Sequence, residues 1–223
     1  MHRIALTLAF AVVASNSIGA QEAKPQQQQH LTGGNEGKHP IGWKVRHDNP
    51  HAAHGGGADT ISFVQMTPGF HLTTGPAAIL YHPDSSARGN YTLESQIFIF
   101  PTKGRDREGY GIFFGGQDLD GAAQRYTYFL LRNDGKFIVK QRNGDKTSTL
   151  VDWTELPAIK KATEKDASPN QFRVVVGASN VTFSVNGVEA ASVPRSQLTV
   201  DGVFGLRFNH AVNAHVTSVT AKK

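Results

Sequence analysis

Apolar and polar side chains alternate along most of this chain, and that alternation limits what it can fold into. From residue 42 onward the period is near two, with turn residues every eight to twelve positions. The sharpest example spans residues 181–193, where two alternating runs flank Asn186 and Gly187, a pair that accepts the positive φ angles of a tight hairpin. This pattern predicts about a dozen short strands that pair by hairpins.

Helical signals are few by comparison. Only residues 158–165 offer a turn or two of helix, and no long helical pattern separates the strands. The predicted fold class is therefore all-β, a two-sheet antiparallel sandwich that buries its apolar faces against each other.

The first forty residues differ in character from the rest. Residues 1–20 contain a short basic start, an apolar run of about eleven residues and a small-residue end, which is the layout of a cleavable secretory signal. The apolar run is shorter than the roughly 20 residues of a membrane-spanning helix. Residues 21–40 are rich in Gln and Gly and predict a flexible leader. We expect a secreted or periplasmic protein with no transmembrane segment and one sandwich domain over residues 41–223.

Composition and charge exclude some classes of site and partner. The chain has no cysteine, which excludes a disulfide framework. Its 23 basic and 18 acidic residues are spread along the chain, without the dense Lys/Arg stripe that contacts nucleic acid. We expect no nucleic-acid partner.

Several stretches of the alternating region resemble a known family. The runs at residues 109–117, 125–132 and 134–138, and the closing segments at 170–174, 185–188 and 202–207, are similar to strands of concanavalin A-like lectin/glucanase domains. The nearest subgroup contains the 3-keto-disaccharide hydrolase-type and laminin-G-like secreted bacterial domains. The resemblance implies a concanavalin A-like jelly roll whose concave sheet and loops bind a glycan or oligosaccharide.

The same resemblance raises the question of catalysis, because glycoside hydrolysis needs two carboxyl groups roughly 5 to 9 Å apart. Family 16-type glucanases carry a Glu-x-Asp-x-x-Glu pattern on one strand, and this sequence lacks it. Glu94 stands alone on its predicted strand, with Gln96 on the same face. An enzyme would use Glu94 or Asp118 as acid or base. The alternative for Glu94 is a structural hydrogen bond or simple exposure.

Sugar-binding candidates combine aromatic, amide and charged side chains. Tyr126, Tyr128 and Arg132 alternate onto one face of a strand, where tyrosine rings could stack on sugars and the arginine could bind oxygens. Cross-strand packing is the alternative for the tyrosines. The candidate ligand-binding set is Glu94, Gln96, Gln117, Asp118, Arg125, Tyr126, Tyr128 and Arg132.

Calcium is the one cofactor that the sequence suggests, and only through a short acidic loop. Asp118 and Asp120 could supply the oxygen ligands that Ca²⁺ prefers, although the loop lacks the rest of an EF-hand. The alternative is a solvated turn without a metal.

Three functional hypotheses follow. The first, which we favour, is a secreted lectin-like carbohydrate-binding domain without catalytic activity. The second is a glycoside hydrolase-type enzyme acting on a glycoside or a 3-keto-sugar. The third is a structural or adhesion domain of the cell envelope, for which we expect tyrosines packed against one another.

Overall fold

A computed structural model describes residues 40–48 and 61–223 of the chain. The predicted signal at residues 1–20 and nearly all of the predicted leader at residues 21–40 lie outside these residues. Within them the chain forms fourteen strands and one short 3-10 helix at Arg195–Gln197. In chain order the strands are β1 Lys44–His47, β2 Ser62–Gln65, β3 Phe70–Thr73, β4 Ala78–Ala87, β5 Tyr91–Ile99, β6 Gly109–Gln117, β7 Arg125–Arg132, β8 Lys136–Asn143, β9 Lys146–Glu155, β10 Ser168–Val176, β11 Asn180–Val185, β12 Val188–Pro194, β13 Gly202–Phe208 and β14 Asn213–Lys222.

The strands form two antiparallel sheets of seven. The front sheet has the order β1-β4-β13-β6-β7-β8-β9, and the back sheet has the order β12-β11-β10-β5-β14-β3-β2. The all-β, two-sheet sandwich predicted from the alternation is confirmed. No helix in residues 40–48 and 61–223 is long and apolar enough to cross a membrane.

The main core lies between the two sheets. On β5, Tyr91, Leu93 and Ile97 point inward and are buried, as the period-two pattern requires. Phe129 of the front sheet meets the back sheet directly, because its ring centroid lies 5.6 Å from that of Phe172 and 5.3 Å from that of Phe183. Aromatic contacts therefore join the two sheets.

The predicted helical turn at residues 158–165 is wrong, because this stretch is irregular. Its peptide groups bond to asparagine side chains instead of to each other. Lys160 N donates to Asn170 Oδ1 (2.9 Å) and Lys160 O accepts from Asn170 Nδ2 (2.8 Å). Asn133 makes the equivalent pair of bonds with Ala162, at 2.7 and 3.2 Å. Tertiary hydrogen bonds override a weak helical propensity here.

Candidate functional site

The predicted ligand-binding residues lie on opposite sides of the sandwich. Glu94 and Gln96 belong to β5 in the back sheet and point outward, since their neighbours Leu93 and Ser95 are buried. The residues Tyr126, Tyr128 and Arg132 belong to β7 in the front sheet. These two groups of residues cannot form one binding site.

The outward surface of the back sheet surrounds Glu94 with cations. Its Oε2 lies 3.4 Å from Lys222 Nζ, and its Oε1 lies 3.8 Å from Arg173 Nε. Gln96 Oε1 accepts a hydrogen bond from Thr217 Oγ1 at 3.3 Å. Both charged partners of Glu94 within the described residues are therefore basic, and neither is a second carboxylate.

The side chains of the front sheet that point away from the core form a surface that we call the front face. It has an apolar cluster of its own, separate from the main core, and Trp153 and Val203 pack against it. Residues that pair across neighbouring strands form rows that run across this face. One row contains Lys44, Tyr81, Gly205, Phe113, Tyr128 and Lys140. The next contains Arg46, Ile79, Arg207, Gly111, Leu130 and Ile138.

The tyrosines of the front face are packed against other aromatic rings and are not exposed to a ligand. Tyr126 and Tyr128 are 1 % and 6 % exposed, and their ring centroids lie 5.8 Å apart. Phe113 packs on Tyr126 at 5.3 Å. Burial raises the pKa of Tyr128 to about 12. A sugar could not stack on these buried rings, and their packing is the one expected for a structural or adhesion domain.

Arg207 is the most buried cation of the front face. Its Nη2 lies 2.5 Å from Asp48 Oδ2, and its Nη1 donates to Phe208 O at 3.1 Å. The guanidinium carbon lies 5.7 Å from the centroid of the Tyr128 ring. Its Nε is buried and has no hydrogen-bond partner. A buried donor without a partner is costly, so this nitrogen marks a place where the protein lacks an acceptor.

Two other arginines of the front face bond to backbone carbonyls instead of carboxylates. Arg46 Nη1 donates to Leu119 O at 2.5 Å and to Gly121 O at 2.8 Å. Arg142 Nε donates to Gly144 O at 2.6 Å. These bonds fix the position of each guanidinium group, and neither arginine forms an ion pair with a carboxylate of the described residues.

The acidic loop that contains Asp118 and Asp120 precedes β7 and contacts the front face at one edge. Asp120 accepts from Lys44 Nζ at 2.5 Å and from the Tyr81 hydroxyl at 2.7 Å. These two hydrogen bonds, that of Lys44 first, hold the pKa of Asp120 below its usual range. Asp118 instead accepts from the backbone N of Ala123 at 3.1 Å.

The calcium candidates therefore already have protein partners. Asp118 bonds within its own loop, and Asp120 bonds to a lysine and a tyrosine. Across the described residues there is no group of three or more His, Cys, Asp or Glu that could hold a metal ion.

The remaining predicted residues lie at the margins of the front sheet. Gln117 and Arg125 pair in register and are exposed, and Gln117 Nε2 donates to Asp201 O at 3.1 Å. Arg132 forms an ion pair with Asp134, and its guanidinium carbon lies 4.3 Å from the ring centroid of Trp153. A cation–π contact of this kind stabilises both side chains at the edge of the face.

A cavity of about 750 Å³ is lined by residues that include Asp106, Asn133 and Asp134. The Asp106 carboxylate accepts hydrogen bonds from Asn133 Nδ2 at 2.7 Å and from Thr102 Oγ1 at 2.5 Å. These hydrogen bonds, that of Asn133 first, hold the pKa of Asp106 below its usual range. Asp134, a second carboxylate of the cavity, forms an ion pair with Arg132, and we assign no ligand to the cavity.

Comparisons with known proteins find similarity in structure alone. No protein-family model matches the chain, and no curated protein matches its sequence. Among solved structures, a carbohydrate-binding module of family 66 from Bacillus subtilis matches with a TM-score of 0.58 and 13 % identity, covering 82 % of this chain and 96 % of that one. A Bacillus subtilis protein of unknown function with a galectin-like fold matches with a TM-score of 0.55 and 10 % identity, covering 80 % and 88 %.

An enzyme shares the same architecture. A family 16 endo-glucanase from Bacteroides ovatus matches with a TM-score of 0.52 and 12 % identity, covering 81 % of this chain and 94 % of that one. The chain has a concanavalin A-like jelly-roll fold. Because binding modules and hydrolases both use this jelly roll, the fold alone does not choose between binding and catalysis.

Several residues of the front face of this jelly roll were missed by sequence reasoning. They are Arg46, Lys140, Arg142 and Arg207, which lie on three different strands. One signal was available, because Arg207 interrupts the apolar strand Gly202–Phe208 with a charge. Buried charges are rare unless they are paired, so such a residue is a candidate for a functional or structural role.

Proposed function

We propose that this protein is an exported, non-catalytic carbohydrate-binding module whose front face binds a glycan. One observation carries the proposal: the front face gathers arginine, lysine and tryptophan side chains from separate strands on one surface of a jelly roll. Half-buried Arg46, Lys140 and Arg142 offer donors, and Trp153, which packs against the apolar cluster of the same face, offers an apolar ring. Sugar recognition combines these two kinds of contact.

The arrangement of carboxylates favours binding over catalysis. On the front face Asp48 pairs with Arg207, Asp120 with Lys44, and Asp134 with Arg132. Glu94, the strongest catalytic candidate in the sequence, faces the other side of the sandwich between two cations. A general acid needs a raised pKa and a nearby second carboxylate, and the charged partners of Glu94 within the described residues are both cations.

Export belongs to the same proposal and depends on residues 1–20. Their apolar run and small-residue end support cleavage after residue 20. Mass spectrometry of the protein recovered outside the cytoplasm should give a chain that starts at Gln21. An uncleaved chain in the cytoplasm would contradict this part of the proposal.

Affinity electrophoresis of the exported chain against a panel of neutral and acidic polysaccharides tests the binding function. We expect saturable retardation by at least one polysaccharide. Trp153→Ala should weaken it by about tenfold, because it removes an apolar contact worth about 1.4 kcal/mol. The matched control is Phe98→Ala, a half-buried aromatic on the outward surface of the back sheet, which should leave retardation unchanged.

Two results would overturn the proposal. One is unchanged mobility against every polysaccharide. The other is turnover of a β-glucan or a keto-disaccharide that disappears in Glu94→Gln or Asp118→Asn, which would favour the enzyme. Tyr128 should be tested as Tyr128→Phe, since its ring is buried and truncation to alanine would change stability together with binding.

A further inference from the structure

The charges of the front face do not balance. Four carboxylates and four cations pair with each other, namely Asp48 with Arg207, Asp120 with Lys44, Asp134 with Arg132 and Glu155 with Lys136. Arg46, Lys140 and Arg142 point to the same side, as their register partners Ile79, Tyr128 and Tyr126 show. Within the described part of the chain none of these three forms an ion pair with a carboxylate.

Three arginines share the front face with buried Tyr126: Arg142 is its register partner, and Arg46 and Arg207 are both register partners of Ile79. Burial raises the pKa of Tyr126, and Arg207, Arg142 and Arg46 each act in the opposite direction. All three arginines are therefore close enough to influence the same phenol, although they belong to β13, β8 and β1. We call Arg46, Arg142 and Arg207, together with Lys140 opposite Tyr128, the cation cluster of the front face, and Asp48 pairs with its Arg207.

The cluster also has unused donors. Arg207 is 6 % exposed and its Nε has no partner. Arg46 uses Nη1 for two carbonyls, and Arg142 uses Nε for one. The other guanidinium nitrogens of Arg46 and Arg142 make no hydrogen bond to the described residues. A guanidinium group held on one side with free N–H groups on the other is suited to an oxyanion, two of whose oxygens accept parallel hydrogen bonds.

The outward surface of the back sheet lacks this excess. There Arg173 and Lys222 flank Glu94. Glu189 of β12 lies opposite Ser184 of β11 on the same surface. Two cations and two carboxylates leave that surface close to neutral. The positive excess is thus a property of one face and not of the whole molecule.

We infer that the ligand of the front face is an acidic glycan, whose carboxylate or sulfate groups bind Arg46, Arg142 and Lys140. This inference rests on the proposed function and names the class of sugar. An acidic polysaccharide supplies both the anionic groups that the cluster lacks and the sugar rings that pack beside Trp153. A neutral glycan would leave three desolvated cations without a partner, which costs binding free energy.

The test uses pairs of polysaccharides that differ in charge alone. Polygalacturonate is compared with its methyl ester, and dextran sulfate with dextran, by affinity electrophoresis of the exported chain. The charged member of at least one pair should bind at least tenfold more tightly, and this preference should shrink at high salt because charges are screened. Preference for polygalacturonate assigns carboxylate as the bound group, and preference for dextran sulfate assigns sulfate.

Matched variants locate the site. Arg142→Gln and Lys140→Gln should each weaken binding of the acidic polysaccharide by about tenfold, the effect of losing one charge-assisted hydrogen bond. Arg173→Gln on the outward surface of the back sheet removes the same charge elsewhere and should have no effect. Circular dichroism spectra of all three variants should match that of the parent chain.

The outcomes separate this inference from the proposed function. Equal binding of the methyl ester and polygalacturonate, unaffected by Arg142→Gln, would overturn the acidic ligand and leave carbohydrate binding intact. Failure of every polysaccharide to bind would overturn both. If duplex DNA bound as tightly as the acidic glycans and with the same sensitivity to Arg142→Gln, the front face would be a general polyanion surface, and the assignment to a glycan would be wrong.

Discussion

Asn170 has no exposed surface, and both ends of its amide are hydrogen-bonded inside the protein. Its Oδ1 accepts from Lys160 N and from Asn186 Nδ2, each at 2.9 Å. Its Nδ2 donates to Lys160 O at 2.8 Å and to the Tyr110 hydroxyl at 3.0 Å. One buried side chain thereby fixes an irregular segment and the turn of a hairpin to the core.

Asn170→Ala should lower the free energy of unfolding by about 3 kcal/mol, because it leaves several buried polar groups without partners. Urea denaturation of the parent and variant measures the difference. The adjacent Gln171→Ala is the control, since Gln171 is exposed and its loss should cost less than about 0.5 kcal/mol. Equal effects of the two substitutions would contradict the role assigned to Asn170.

Sequence reasoning did not find the buried asparagines, and the reason is physical. In the turn of residues 133–135, Gly135 has the positive φ, at 92°. The Asn133 amide instead bonds to Ala162, which is 29 residues away in the chain. A side chain that bonds across such a separation leaves no periodic signal, because the pattern records only neighbours along one strand.

At the scale of elements, the β11–β12 hairpin shows how turn chemistry sets register. Asn186 and Gly187 have φ angles of 52° and 82°, as the sequence predicted for a two-residue hairpin turn. Val185 and Val188 face each other across it. The turn therefore places Val181, Phe183 and Val185 on the buried side of β11.

Gly187→Ala should destabilise the protein by about 1 kcal/mol, because a residue with a Cβ is strained at positive φ. Nothing lies within 4 Å of the position that the Cβ would take, so conformation and not a clash causes the loss. Gly187→Asn is the matched variant, and it should lose about half as much, since asparagine tolerates this conformation. Thermal unfolding followed by circular dichroism measures both. An alanine variant as stable as the asparagine variant would contradict this explanation.

The strands were largely predictable because each carries its own alternation and is bounded by turn residues. The runs at residues 109–117 and 125–132 coincide with β6 and β7. The one helical prediction was wrong because the bonds that hold residues 158–162 come from two distant asparagines. Local pattern determines the strands, and long-range contacts determine the irregular segments.

At the scale of the whole molecule, the placement of the site depends on strand order. The strand β13 lies between β4 and β6, and β14 lies between β5 and β3. These pairings join segments far apart in the chain, so the sequence could not show that Glu94 and Tyr128 are on opposite surfaces. For the same reason a mild, dispersed excess of basic residues gave no sign of the cation cluster that folding assembles from β1, β8 and β13.

Removal of residues 213–223 should abolish cooperative unfolding, because it deletes a strand from the interior of the back sheet. β14 pairs with β5 on one side and β3 on the other and buries Ala214 and Val216. Its absence would expose two open strand edges and part of the core. Removal of Lys223 alone, which lies outside β14, is the control and should leave the urea midpoint unchanged. A cooperative transition in the longer truncation would contradict the topology.

The central position of β14 also has a consequence for how the chain is made. A polypeptide that emerges amino end first, from a ribosome or through an export channel, presents an unpaired edge of β5 while residues 100–212 are still being delivered. The β2–β3 hairpin has no other neighbour in its sheet and must wait as well. During that interval the β14 of a second chain could occupy the position between β5 and β3 in place of the chain's own β14. We therefore expect strand exchange between nascent molecules to be the main assembly error of this topology.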